Sequence, residues 1–319
     1  MKLRRHTITV LQGAILLSAC VSCFTGIEST PRISDAEVSR SQASSNIDRH
    51  DILADIAPQP PSKWPKGKRF LVTDNKISLI FTASSACSDS LAGKEILFDS
   101  VAAVPSLTDE TAYEIRFLRA GSPADTFFYR LPAPASRSLE SDNRIEIPFT
   151  VDIDLAASAD SIMRGRHFFI TTPNWYNPAD GMKECEGLRH VEVIIDSVRP
   201  GTSTYPLATF FHTPSQSDIQ RAVYLTVGDG RASTRNFDRI FATADPRKSY
   251  PHITDEIWEL IIHSRIKNGM TRDEVRLALG APTAVERAPV RNGWLERWTY
   301  SDGIYLIFDS DGYLSDFRQ

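Results

Sequence analysis

The chain has 319 residues, of which 41% are hydrophobic and 24% charged, and its formal charge is −4. That length and apolar content suit a folded protein with room for two or three compact units. A mildly acidic chain without a basic stripe argues against nucleic acid as a partner.

Lys2, Arg4 and Arg5 precede an apolar stretch from Ile8 to Leu17, which is too short to span a bilayer and has the length of a signal-peptide core. The stretch ends in Leu17-Ser18-Ala19-Cys20. This resembles the lipobox of bacterial lipoproteins, which implies export, cleavage after residue 19 and acylation of Cys20. An ordinary secretory cleavage region at Ser18-Ala19 is the alternative, and Cys23 is the competing cysteine. Several acyl chains would make the attachment to the membrane stable. Loss of residues 1–19 removes three positive charges, taking the formal charge from −4 to −7. The expected location is the outer membrane, lipid-anchored, with the periplasmic face favoured.

Residues 20–65 read as a flexible tether, rich in Ser and Asp and ending in Pro58, Pro60, Pro61 and Pro65. A weak helical pattern runs through Ile47, Ile52, Leu53 and Ile56. Such a coil would hold the folded part on the order of 35–40 Å from its anchor.

From residue 66 to about 230 the pattern predicts β-structure, as a sandwich or as barrel-like lobes. Short β-branched or aromatic runs occur at 70–72, 77–81, 95–98, 113–118, 126–131, 144–153, 167–171, 191–195 and 205–211. Glu95-Ile96-Leu97-Phe98-Asp99-Ser100-Val101 aligns without gaps to Glu192-Val193-Ile194-Ile195-Asp196-Ser197-Val198. Gly67-Lys68, Gly93-Lys94 and Gly165-Arg166 each open a strand. Two related lobes, or convergent strand and turn chemistry, both account for this. Cys87 and Cys185 are candidates to pair in an oxidising envelope, with two buried thiols as the alternative. Trp175 and Tyr176, among Pro173, Asn174 and Asn177, are the candidate ligand contact, for a sugar or a peptide, against a half-buried loop pair.

Residues 253–319 predict two helices and a three-stranded meander, so the fold class is α+β overall with an all-β central region. Thr254 caps a first helix with Ile257, Trp258, Ile261, Ile262 and Ile266 on its apolar face, ending at Asn268-Gly269. Thr271 and Glu274 form a capping box for a second, and Met270 with Val275 the matching staple. Gly280 ends that helix and Pro282 prevents its extension. Strands follow at 295–300, 304–308 and 313–317, joined by turns at 301–303 and 309–312.

The run Ile266-x-x-Gly269-Met270-Thr271-x-x-x-Val275-x-x-x-Leu279-Gly280-x-Pro282, with Trp298-x-Tyr300 and Leu306-x-Phe308-Asp309-Ser310-x-Gly312-x-Leu314, resembles the SmpA/OmlA (BamE-like) domain. The resemblance implies a small helix-helix-sheet unit carried on outer-membrane lipoproteins. It also implies a link to the assembly of outer-membrane β-barrel proteins.

No zinc-protease helix, phosphate loop, dinucleotide fingerprint or nucleophile elbow occurs. Asp309-Ser310-Asp311-Gly312 reads as a hairpin turn, not a calcium loop, because its glycine stands at position four. The spacing of His167, Cys185 and His190 matches no known metal site. No metal and no cofactor are expected. The reading is a non-catalytic scaffold that binds an envelope protein. A glycan or peptidoglycan hydrolase, or a glycan-binding lipoprotein, is the alternative.

Overall fold

A computed structural model describes residues 52–53, 56, 58–83, 90–105, 111–132, 139, 146–227, 235–290, 293–301 and 303–318. Cys20, Cys23 and Cys87 lie outside the described residues, as does Ile47. Three antiparallel sheets carry the fold, which is α+β with a β-rich centre.

The first sheet contains β1 (Arg69–Val72), β2 (Phe81–Ala83), β3 (Glu95–Val104), β4 (Ala112–Arg119), β5 (Ser122–Arg130) and β6 (Thr150–Asp152), in the order β2-β5-β4-β3-β1-β6. Its core is aromatic, with Trp64, Phe70, Phe98, Phe117 and Phe127 packed together. The run at 77–81 is not a strand. Asp74 accepts from the Lys76 amide and starts a 3-10 helix at Asn75–Leu79, so β2 begins only at Phe81.

A helix that the strand reading of 144–153 did not foresee follows β6. Asp152 accepts from the amides of Asp154 and Leu155 and so caps α1 (Ile153–Met163). Leu155, Ala156, Ala159 and Met163 face the core of the next sheet. That sheet holds β7 (His167–Ile170), β8 (Asn174–Asn177), β9 (Lys183–Glu186), β10 (Val191–Pro200), β11 (Leu207–Thr213) and β12 (Gln216–Leu225). The short helix α2 (Phe237–Ile240) leads into its last strand, β13 (Phe241–Ala242). The order is β13-β7-β10-β11-β12-β8-β9.

The aligned segments stand at equivalent places in the two sheets. The Gly67 amide donates to Phe98 O and the Phe98 amide to Lys68 O; the Gly165 amide donates to Ile195 O and the Ile195 amide to Arg166 O. Both glycines take positive φ, +86° and +74°. Lys68 lies over the Phe70 ring and Arg166 over the Phe168 ring. The pairing register shifts at Asp99 in β3 and at Asp196 in β10, so each aspartate sits in a β-bulge. The first strand of each sheet ends alike, with the Thr73 amide donating to Phe149 O and the Thr171 amide to Ile240 O. The two sheets thus share a corner, a bulge and an edge contact in one register.

Part of the segment read as a tether packs on the lobes. Leu53 is buried in the core of the second sheet with Ile52 and Ile56 beside it, and Trp64 is buried in the first. The Ile56 amide donates to Leu53 O, and Ile52, Leu53 and Ile56 meet the same core. The folded chain therefore begins before residue 66.

After α3 (Pro246–Ser249) come α4 (Asp255–Ile262), α5 (Arg272–Leu279) and a sheet of β14 (Ala284–Val290), β15 (Gly293–Thr299), β16 (Tyr305–Phe308) and β17 (Leu314–Arg318). The sheet is a four-stranded meander, not a three-stranded one. β14 escapes the sequence pattern because Arg287 and Pro289 interrupt its alternation. Helix α4 also ends earlier than Asn268-Gly269. Ser264 adopts φ 55°, its amide donates to Ile261 O, and the Arg265 amide donates to Leu260 O. These bonds are a Schellman close after Ile262. Gly269 instead turns the chain so that its amide meets Leu314 O. The capping box is present, with the Glu274 amide donating to Thr271 Oγ1 at 3.3 Å and the Thr271 amide to Glu274 Oε2 at 2.7 Å. Met270, Val275, Trp298 and Phe308 are buried, Leu279 packs against them, and Gly280 closes α5 with φ 86° just before Pro282.

Candidate functional site

The second lobe and the carboxy-terminal unit share buried surface. Phe169 of β7 and Ala242 of β13 pack into the core formed by Trp258, Val275, Trp298 and Phe308. Two consecutive residues complete the join. The Arg189 amide donates to Ile262 O, its Nε to Ser264 Oγ and its Nη1 to Thr171 O. A guanidinium thus sits at the carboxy end of α4, where the helix dipole favours positive charge. Burial pulls that guanidinium down to about 10, and Tyr300 acts in the opposite sense. His190 is buried and its Nε2 lies 3.0 Å from Leu277 O, in the last turn of α5. Tyr300 donates to Gly280 O, and burial pushes its phenol far up. These groups lock two units together.

His167, Cys185 and His190 do not converge. His167 pairs with Glu192 at the surface, His190 meets α5, and no metal-ligating cluster occurs among the described residues. Cys185 is a half-buried free thiol. Its suggested pairing with Cys87 involves a residue outside the described set.

Trp175 is a core residue. It is 6% exposed, meets Phe211 edge-on at 5.1 Å, and donates from Nε1 to Thr172 O. Tyr176, one residue on, points to the opposite face of the strand. There Phe210, Ala208 and Ala222 form a floor, with Tyr176, Met182 and Tyr224 packed on it. The Tyr176 and Tyr224 rings meet at 4.8 Å, and Tyr205 stacks on Tyr224 at 6.1 Å. Arg235 lies over both Tyr205 and Tyr176, at 4.8 and 5.7 Å, and donates to the Tyr176 hydroxyl. Arg199 covers Phe210 at 4.7 Å. The three tyrosines are half-buried and Arg199 is exposed, so rings and guanidinium edges reach solvent. Burial raises the Tyr224 phenol, with Tyr176 adding to the effect and Arg235 opposing it.

The first lobe provides an internal reference. Matching the bulged strands makes Glu114, Arg116, Phe128 and Arg130 the counterparts of Ala208, Phe210, Ala222 and Tyr224. One lobe therefore presents a charged face where the other presents an aromatic one. Sequence reasoning found only Tyr176 of this group. Tyr205, Phe210 and Tyr224 come together through strand register, and the period-two pattern of β11 and β12 is the signal that could have paired them.

No protein-family model, curated protein or solved structure matches the chain.

Proposed function

We propose that the chain is an envelope protein, lipid-anchored through Cys20, that works by binding a protein partner on the outer face of the second sheet. The observation that carries this reading is a face on which Tyr176, Tyr205, Phe210 and Tyr224 cluster with Arg199 and Arg235, where the matching register of the first sheet has Glu114, Arg116 and Arg130. Tyrosine and arginine are the side chains that supply much binding energy at interfaces, through apolar area combined with polar edges. The groups whose protonation burial disturbs most, Arg189 and Tyr300, join two parts of the fold, which favours binding over catalysis. The last unit is read as SmpA/OmlA-like on the residues quoted above, with a role near outer-membrane protein assembly.

Capture of partners from envelopes tests the reading. Tagged wild type and the Tyr205→Ala/Tyr224→Ala double variant are compared by mass spectrometry after cross-linking. Loss of a specific protein from the variant supports it, and identical captured sets refute it. Cys20→Ser should abolish acyl labelling and release the protein from the membrane fraction; labelling through Cys23 would overturn the choice of cysteine. The same aromatic face also suits a sugar ring, which is the second reading. Glycan fragments that protect Tyr205 and Tyr224 from modification would favour it.

A further inference from the structure

The carboxy-terminal unit contains a second, unrelated feature. Alternation along β15 places Trp294, Glu296 and Trp298 on the face that carries the helices. Trp298 and Glu296 are buried there, and Trp294 has 52% of its surface exposed. Glu296 accepts from Trp298 Nε1 at 2.7 Å, from Arg287 Nε at 2.9 Å and from Arg272 Nε at 3.2 Å. Burial pushes the carboxyl up, but the Trp298 bond and the two guanidinium groups outweigh it and keep Glu296 ionised.

Both arginines thus meet Glu296 through Nε alone. Their terminal Nη groups form no hydrogen bond among the described residues. Arg272 is held from two further sides. Its guanidinium lies 5.7 Å from the Phe308 ring centre, and a Cβ at Gly312 would come within 2.2 Å of Nη1. Nη1 thus lies close over Gly312, whose φ of 91° suits its turn. Around these groups opens a hollow of about 520 Å³, lined by Arg272, Arg287, Trp294, Glu296 and Ser310.

We infer that this hollow binds a carboxylate attached to an apolar group. The two arginines and one glutamate leave a single positive charge, which one monoanion balances and a dianion exceeds. Guanidinium Nη pairs match a planar carboxylate in two-point hydrogen bonding. Trp294 supplies an exposed aromatic surface for the neighbouring apolar group, and the Ser310 hydroxyl a further polar contact. The occupant is thus a protein segment whose carboxylate, at a chain terminus or on an acidic side chain, lies beside an apolar residue. This inference stands apart from the tyrosine face of the second lobe and does not depend on it.

The test uses the full chain labelled with 5-fluorotryptophan, which gives one fluorine signal for each of its five tryptophans. The Trp294 signal is identified by its loss in Trp294→Phe. N-acetylphenylalanine should shift that signal saturably, while its uncharged amide should need at least tenfold more. N-acetyl-Glu-Phe-amide, whose one carboxylate is on a side chain, and N-acetylphenylalanine, whose one carboxylate is terminal, distinguish the two sources. Arg287→Gln should weaken binding at least tenfold, and Arg287→Lys should not restore it. Trp294→Ala breaks no ion pair, so it keeps the test open should Arg287→Gln fail to fold; calorimetry should then show weaker N-acetylphenylalanine binding. Equal binding of acid and amide overturns the inference, as does tighter binding of inorganic phosphate. Undiminished binding to both Arg287→Gln and Trp294→Ala overturns it as well.

Discussion

Gly187→Ala attacks the contact that makes Trp175 structural. A Cβ at residue 187 would lie 2.1 Å from Cδ2 of the indole, far inside contact distance. The indole cannot retreat easily, because Phe211 holds one edge at 5.1 Å and Thr172 O accepts its N–H. Overpacking of this kind costs about 1–3 kcal/mol. Trp175→Ala removes the ring altogether, and truncating so large a buried side chain costs about 3–5 kcal/mol. In the double variant the new methyl occupies space that the indole has vacated, so the two losses should not add. The interaction energy should cancel most of the Gly187→Ala cost, roughly 1–3 kcal/mol. Urea unfolding of the four proteins, followed by circular dichroism, measures all of these terms. Additive losses would refute the proposed contact, and an unchanged midpoint for Trp175→Ala would return that residue to the surface.

Thr271→Ala should cost about 1 kcal/mol through loss of the α5 cap. Glu274→Ala should cost a similar amount, since its bond to the Thr271 amide is the shorter of the pair; unchanged urea midpoints would remove the capping box. The lowered pKa of Glu296 favours the folded state above the ordinary value of 4.5, and that contribution is lost as pH falls through the lower folded value. The midpoint difference between wild type and Glu296→Gln should therefore shrink below pH 4.5, and a constant difference would contradict the ion cluster. Iodoacetamide should label Cys185 without reductant; a peptide joining Cys87 to Cys185 would refute the free thiol. Gly67→Ala and Gly165→Ala should each cost about 1 kcal/mol, because each forces a side chain into positive φ. Strongly unequal costs would count against equivalent corners.

The carboxy-terminal unit was the most legible part of the sequence because its signals are local. Thr271 and Glu274 lie one turn apart, and Gly280 with Pro282 stands at the end of the same helix. The close of α4 was misplaced because Ser264 carries no glycine-like signal. Its left-handed turn is bonded from Arg189, 75 residues away in sequence. Helix α1 was hidden by a strand pattern read over 144–153, which runs through Asp152, its cap, into its first residue, Ile153. The repeat was visible as seven aligned residues, but its meaning lay in hydrogen bonds that no alignment displays. Trp175 and Tyr176 read as one aromatic pair, yet strand geometry sends them to opposite faces. Burial against Phe211 decides one, and Tyr205 with Tyr224 decides the other.

Arg189 and His190 bear on where the protein can be cut. They belong to the second lobe, but the Ile262 and Leu277 carbonyls, met by the Arg189 amide and the His190 ring, belong to α4 and α5. Removing residues 253–319 would leave Phe169 without its cover and a desolvated guanidinium without its helix end. The second lobe and the last unit should therefore melt as one cooperative block. A ligand held in the hollow beside Trp294 would accordingly raise the unfolding temperature of strands on the far side of the join, through linkage alone.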